Sequence, residues 1–339
     1  MPAPVSIRQS YSEAPDRLHE AVDLTILVPA LNEEGNICRL APAFAPLLES
    51  QDFSYELFIV DDGSTDNTVN EAHEASAKYP WVRWVSHRRN LGKTEVILTG
   101  LAEARGRVFV VFDADLQFCP EDAIAFFHKI REGYDIVTGW KQGAYQKPFV
   151  SGVYNRLCRI LFGVTVHDLN SMKAFRREVL DGIPLRKDWH RYMVVLAAAQ
   201  GYRVAEMKIE LQPRTVGVSK YTGGWRIIVG LMDLVAVWVQ LVLLRKPMLM
   251  LGTPGLFLVA AGVATGMIAI YWRVFENFGF RPMLYLTMLL VLAGLLLFVL
   301  GVAAEGIALM KGQLDVVRSE VRALRDEIAT SRRDEHHDG

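Results

Sequence analysis

Between residues 23 and 215, short apolar runs alternate with stretches whose apolar positions recur every three or four residues. Leu24-Thr25-Ile26-Leu27-Val28 and Leu57-Phe58-Ile59-Val60 have the nearly unbroken apolar character of strands covered on both faces. Trp81 to Val85 is a weaker third run and Val108 to Phe112 a fourth, and the segments 35–50, 66–78 and 93–105 between them predict helices. Strand and helix in alternation predict a mostly parallel sheet with helices on both faces. In such sheets ligands bind beyond the carboxyl ends of the strands. Three polar clusters fall at that edge: Pro29 to Glu34, Asp61 to Asp66, and Asp113 to Gln117. Their placement predicts one site rather than three surface turns.

Near residue 223 the pattern changes. Residues 249–272 and 283–304 are almost uncharged and apolar on every side. Each is long enough to cross a hydrocarbon core, which takes about 20 residues. The short connection from Arg273 to Pro282 makes them an antiparallel transmembrane hairpin. Arg245 and Lys246 precede the first span, and Lys311, Arg318, Arg322 and Arg325 follow the second, against Arg273 and Arg281 in the loop. The bias places both chain ends on the cytoplasmic side of an inner membrane. Residues 225–244 carry Asp233 and Gln240 within apolar surroundings, with Trp225 and Trp238. They are read as helices lying in the membrane interface, since a third span would carry the preceding domain away from cytoplasmic nucleotides. In the tail, Leu314, Val317, Val321, Leu324 and Ile328 alternate spacings of three and four. This seam is either a self-association surface, giving a homo-oligomer, or the apolar face of a solvated helix. The expected organisation is a polar, partly disordered lead-in (1–22), a catalytic domain (23–222), juxtamembrane helices (223–247), a hairpin (248–305) and a cytoplasmic tail (306–339).

Composition adds less. The chain has 339 residues, a formal net charge of −1 and 51% hydrophobic residues. That near-neutral balance offers no footprint for nucleic acid. Cys38, Cys119 and Cys158 lie far apart, without a CxxC pair, as reduced thiols do.

Asp113-Ala114-Asp115, directly after Phe109-Val110-Val111-Phe112, carries the chemistry. Carboxylates at i and i+2 on a turn can address one site, and hard oxygen ligands of this kind suit Mg²⁺ or Mn²⁺. The amide oxygen of Gln117 would extend the set. In Asp61-Asp62-Gly63-Ser64-Thr65-Asp66, Ser64 or Thr65 suits a helix cap, while a carboxylate of the doublet suits a base or ribose hydroxyl. Asn32 suits a cap of the following helix and a ligand contact equally. Arg214-Thr215-Val216-Gly217-Val218-Ser219-Lys220-Tyr221 reads as a loop with two cations. These either clamp a diphosphate or hold anionic lipid headgroups, and spacing alone does not choose. Asp188 would serve as a base if the acceptor were a sugar hydroxyl, and His190 reads as structural.

Five motifs in order then carry a resemblance. They are Val28-Pro29-Ala30-Leu31-Asn32-Glu33, Val60-Asp61-Asp62-Gly63-Ser64-Thr65-Asp66, Arg89-Asn90-Leu91-Gly92-Lys93, Asp113-Ala114-Asp115-Leu116-Gln117 and Arg214-x-x-Gly217-x-Ser219-Lys220-Tyr221. The chain resembles the family 2 glycosyltransferases of GT-A fold, in the polyprenyl-phosphate branch typified by dolichol-phosphate mannose synthase and bactoprenol-phosphate glycosyltransferases. The resemblance implies an α/β GT-A catalytic domain and an inverting transfer from a UDP- or GDP-sugar to a polyprenyl phosphate at the bilayer. It implies that Pro29, Leu31, Asn32, Glu33, Val60, Asp61, Asp62, Lys93, Asp113 and Ala114 line the nucleotide-sugar pocket. Asp113, Asp115 and Gln117 would hold Mg²⁺ or Mn²⁺, and Arg214 and Lys220 would clamp the diphosphate, making Asp113, Asp115, Arg214 and Lys220 the catalytic set. Lys141, Arg156 and Ser171 fall where the acceptor phosphate would bind. Leu31 departs from the pattern, standing where the family commonly has an aromatic against the base. A processive polysaccharide synthase would show a QxxRW signature and more spans, and neither is present. A non-catalytic scaffold would not need the acidic and basic motifs intact.

Overall fold

The computed structural model describes residues 7–8, 21–142, 166–181, 183, 185–186, 188–212, 232, 235–239, 241, 246–276, 279 and 281–335. The chain divides into two compact units, Met1–Leu234 and Val235–Gly339.

The first unit is built on a sheet of eight strands: β1 (Ile7–Arg8), β2 (Val22–Ala30), β3 (Tyr55–Asp61), β4 (Val82–His87), β5 (Gly106–Val111), β6 (Ile136–Gln142), β7 (Lys173–Arg176) and β8 (Val204–Glu210). Their spatial order is β1-β4-β3-β2-β5-β7-β6-β8. The pairs β4–β3, β3–β2 and β2–β5 are parallel, as the alternation of strand and helix requires. β7 enters antiparallel between β5 and β6, and β6 pairs parallel with β8. The short β1 lies within the segment read as a lead-in and pairs antiparallel with β4.

Helices α1 (Ile37–Leu48), α2 (Thr68–Lys78), α3 (Lys93–Glu103) and α4 (Pro120–Arg131) cover the sheet. α1 buries Ile37, Leu40, Ala41, Phe44 and Leu48, a stripe of three- and four-residue steps, and leaves Pro42 and Pro46 on its solvent face. Phe44 packs edge-on against Phe112, centroids 5.0 Å apart, which fixes the exit of β5. The chain continues through α5 (Arg177–Asp181), a 3₁₀ turn (Trp189–Tyr192) and α6 (Met193–Ala199).

The two ends of the strands differ in chemistry. At the amino end, buried Glu56 accepts from Thr25 Oγ1 at 2.7 Å and from the guanidinium groups of Arg83 and Arg105 at 2.9 and 3.1 Å. Burial pushes its pKa up, and the Arg105 amide, Thr25 and Arg83 outweigh that and hold it below the usual carboxylate range. This end is a satisfied anchor. The carboxyl end carries the loops.

In the second unit a π-helical turn (Met248–Gly252) leads into α7 (Thr253–Phe275), and α8 spans Arg281–Glu335. Met248–Phe275 and Arg281–Leu314 are long and apolar enough to cross a membrane. They pack antiparallel through glycines. A Cβ on Gly255 would lie 2.6 Å from the Gly294 carbonyl oxygen, and one on Gly301 2.8 Å from the Gly252 amide nitrogen. Backbones approach this closely only where side chains are absent, the usual basis of helix association in lipid. α8 continues without a break from the second span into the tail. Of the segment 225–244, read as interfacial helices, only 232, 235–239 and 241 lie within the described residues.

Candidate active site

The exits of β3, β2 and β5 lie side by side, and the polar clusters there are tied to one another. Asn32 adopts a left-handed conformation (φ 50°). Its amide donates to Ser64 Oγ at 2.8 Å, and its side-chain oxygen accepts from the Thr65 amide at 2.8 Å. Asn32 therefore clasps the β3–α2 turn and does not cap α1, whose N-cap is Asn36. Likewise Ser64 and Thr65 do not cap α2. Its N-cap is Asn67, and the Asp66 carboxylate accepts from the Thr68 amide and hydroxyl at 3.1 and 2.6 Å. The Glu33 amide donates to Thr68 Oγ1 at 2.8 Å, closing the clasp.

Asp61 and Asp62 are both buried and divide the work. Asp61 accepts from the amides of Gly63 and Ser64 and from Ser86 Oγ, at 3.2, 3.1 and 2.6 Å. Asp62 accepts from the amides of Leu91 and Gly92, each at 2.8 Å, and its Oδ1 lies 2.9 Å from Nδ1 of buried His87. In this structure the doublet shapes the loop from Arg88 to Gly92. Gly63 must be glycine: its φ is +77°, and a Cβ would lie 2.6 Å from the Arg89 carbonyl carbon. Pro29 pairs with Val60 across the β2–β3 ladder. The side chains of Val60 and Ala114 are in the core, not on an open wall.

The Arg88–Gly92 loop delivers Lys93, whose ammonium lies 2.5 Å from Asp113 Oδ1. Asp113 is ringed by protein but open on one side, with 42% of its side chain exposed. Burial pushes its pKa up, and Lys93, with Lys141 and Lys173 further off, outweighs that and holds the carboxyl below its ordinary range. Leu116 turns left-handed (φ 51°), and the Asp115 carboxylate accepts from the Gln117 amide at 3.3 Å, so the run folds back on itself. The Gln117 carbonyl accepts from the Gln212 amide at 2.8 Å. The strand that leads to the basic loop thus ends against the acidic run. Arg214, Lys220 and Arg156 lie outside the described residues.

Beyond Asp113 the structure gathers residues that the motifs do not single out. Lys141, at the end of β6, donates to the Asn170 carbonyl at 2.5 Å and lies 3.5 Å from Asp168 Oδ2. Ser171 Oγ is buried with no partner. Lys173 is 5% exposed and donates to the Ser171 carbonyl at 3.0 Å. Burial, with the charges of Lys93 and Lys141, brings its pKa down to about 7 despite Asp168 and Asp113. His190 Nδ1 lies 3.1 Å from Thr94 Oγ1, and burial, then Lys93, Lys173 and Arg191, lower its pKa to about 2. The ring is therefore neutral at physiological pH. No sequence signal marks Lys173, which sits in a four-residue strand flanked by ordinary core residues.

Among the described residues no three His, Cys, Asp or Glu side chains converge as a metal cage. The set that fits a divalent ion is the pair Asp113 and Asp115 with the Gln117 amide oxygen, all hard donors on one turn.

Comparison with known proteins bears on this site. Residues 25–183 match the model of glycosyl transferase family 2. The chain is 31% identical over 304 residues to dodecaprenyl-phosphate galacturonate synthase of Rhizobium johnstonii, covering 85% of this chain and 88% of the relative. Among solved structures it is similar to glucosyl-3-phosphoglycerate synthase of Mycobacterium tuberculosis. In complex with Mn²⁺, UDP and glucosyl-3-phosphoglycerate, that enzyme matches with a TM-score of 0.51 at 20% identity, over 65% of this chain and 80% of its own. In complex with Mg²⁺ and UDP it matches with a TM-score of 0.51 at 22% identity, over 62% and 79%. The shared fold is the expected GT-A arrangement.

Proposed function

The chain belongs to glycosyl transferase family 2, and we propose that it transfers a sugar from a nucleotide-diphosphate donor to the phosphate of a polyprenyl lipid at the cytoplasmic face of the membrane. The observation that carries this reading is the acidic run at the β5 exit, beside the polar exits of β2 and β3 and joined by Gln212 to the strand that leads to the basic loop. The relative's polyprenyl-phosphate product and the UDP bound by the solved neighbours support the same acceptor and donor classes.

Asp113, Asp115 and Gln117 would hold Mg²⁺ or Mn²⁺, which supplies charge neutralisation for the departing diphosphate. Pro29, Leu31, Asn32 and Glu33 border the nucleotide. Lys93 orients Asp113 and adds positive charge beside the leaving group. Arg214 and Lys220 stand in sequence just past Gln212 and complete the clamp. Lys141, Ser171 and Arg156 are the acceptor side. A phosphate monoester, with a second pKa of about 6, is already an anion near neutral pH and needs little help from a base. The protein's task is to hold that anion in line with the anomeric carbon, which gives inversion. The hairpin sets the catalytic unit at the bilayer, with both chain ends cytoplasmic.

The test is transfer of radiolabelled sugar from UDP- and GDP-sugars into polyprenyl phosphate by the full-length protein in membranes. Lipid-linked product that depends on Mn²⁺ or Mg²⁺ is expected. No labelled lipid with any donor, or equal labelling by Asp115→Ala, overturns the reading.

A further inference from the structure

His167 lies in none of the five motifs, yet it is held at three points. Its backbone amide donates to Glu206 Oε1 at 2.6 Å, and its ring nitrogen Nδ1 lies 2.7 Å from Glu206 Oε2. The imidazole stacks on the indole of Trp140, with centroids 4.0 Å apart and planes 10° from parallel. A carboxylate only accepts, so Nδ1 carries a proton toward Glu206. Nε2 makes no hydrogen bond among the described residues, and 39% of the side chain is exposed. Both oxygens of Glu206 are thus spent on fixing one ring whose second nitrogen is open. Packing alone does not require this, since a phenylalanine would stack on Trp140 without a carboxylate.

Register places this ring beside the acidic run. Val111, Lys173, Thr138 and Glu206 lie opposite one another across β5, β7, β6 and β8, so their side chains share one face of the sheet. Asp113 and Trp140 lie two residues beyond Val111 and Thr138 on chains that run in the same direction, and the alternation returns both to that face. Between them the turn before β7 holds Lys141, which donates to the Asn170 carbonyl and lies 3.5 Å from Asp168, the neighbour of His167. Lys208 adds a second cation, its ammonium 5.3 Å from the Trp140 ring centroid. Two strand spacings, ~10 Å, separate the exits of β5 and β6. A donor held by its diphosphate at the acidic run would place its sugar between them. The acceptor must approach from the side opposite the departing diphosphate, which is the side of His167.

We propose that His167 binds the phosphate of the prenyl acceptor through Nε2, with Glu206 and Trp140 as positioning residues. The contact holds one proton. An imidazolium donates it to a phosphate dianion, and a neutral ring accepts it from a monoanion, the two forms that an ester with a second pKa of about 6 presents near neutral pH. Either way the hydrogen bond is charge-assisted. The inference rests on the glycosyltransfer reading above and adds a residue that recognises the head of the acceptor.

The test compares binding of a short-chain prenyl phosphate with that of the corresponding prenol. It uses calorimetry on the full-length protein in nanodiscs, with UDP and Mn²⁺ present to fill the donor side. The wild-type protein is expected to bind the phosphate at least about 10-fold more tightly than the alcohol. His167→Phe keeps a ring on Trp140 and removes Nε2, and should lower that ratio about 10-fold while UDP affinity stays within about 2-fold. Glu206→Gln, which loosens the clamp, should lower the ratio by a smaller factor, and His167→Gln, which carries an amide to about the place of Nε2, should restore part of it. A phosphate preference that survives His167→Phe overturns this inference and leaves the acceptor reading standing. A fall in UDP affinity of the same size in both His167→Phe and Glu206→Gln would make His167 a residue of the fold and overturn it as well. No preference for phosphate over alcohol in the wild-type protein overturns the acceptor reading, and this inference with it.

Discussion

A buried lysine with no carboxylate at ion-pair distance among the described residues leaves a signature in stability. Lys173 has a folded pKa of about 7, against about 10.4 for an unfolded lysine. Below pH 7 both states are protonated and the folded state bears the whole cost of the buried charge. Between the two values only the unfolded state holds the proton, so stability rises with pH across that window. Lys173→Met should therefore raise the melting temperature most at pH 6 to 7, by at most ~5 kcal/mol in free energy, with the gain fading toward pH 10. Thermal melts of both proteins across that range check the sign. Asp62 behaves oppositely. Its carboxylate serves two amides and His87 in a buried setting, so Asp62→Ala strands three polar groups and should cost ~2–4 kcal/mol. The same melts would show it. The Asp115 carboxylate accepts from the Gln117 amide on its own turn. Asp115→Ala should lower transfer by about 100-fold or more and abolish the extra stabilisation that UDP gains from Mn²⁺, measured by labelled transfer and by melts with and without the metal.

At the scale of elements, legibility followed burial. β2, β3 and β5 are apolar along their whole length, and their runs read as covered strands because the structure covers them on both faces. Asp113 to Gln117 was legible because it follows such a run directly. β7 was not legible: it is four residues long, begins with Lys173 and ends with Arg176, and its pairing with β5 comes from chain more than 60 residues distant. A cation at a covered strand position contradicts the local pattern, and such contradictions mark sites. The caps fall at Asn36 and Asn67 for a related reason. Asn32 and Ser64 satisfy each other's loops across 32 residues, a long-range exchange that local cap rules do not contain. The hairpin was legible from length and apolarity, but its seam was not. It depends on glycines meeting across two helices, and Gly255→Leu would drive a side chain into the Gly294 carbonyl. That substitution should separate the spans and cut disulfide crosslinking of a Gly266→Cys, Thr287→Cys pair several-fold, since those positions face each other with a Cβ on Gly266 placed 3.1 Å from Thr287 Cγ2.

For the whole molecule, the proposal requires one orientation in the bilayer. Under the proposed function the nucleotide donor would be cytoplasmic, which requires the catalytic unit on that side, and two spans would then return the tail to it. The basic residues agree: Arg245, Lys246, Lys311, Arg318, Arg322 and Arg325 flank the outer ends of the hairpin, against Arg273 and Arg281 in its loop. α8 extends this geometry, because a helix of 55 residues is ~80 Å long and only ~30 Å of it is needed to cross the hydrocarbon core. The remainder is longer than the membrane requires. In a protein with Cys38, Cys119 and Cys158 replaced by alanine, Glu276→Cys should react with a membrane-impermeant maleimide in intact spheroplasts. Ser319→Cys should react only after lysis. The reverse pattern would place the acidic run away from nucleotide-sugars and dismantle the donor and the acceptor readings together.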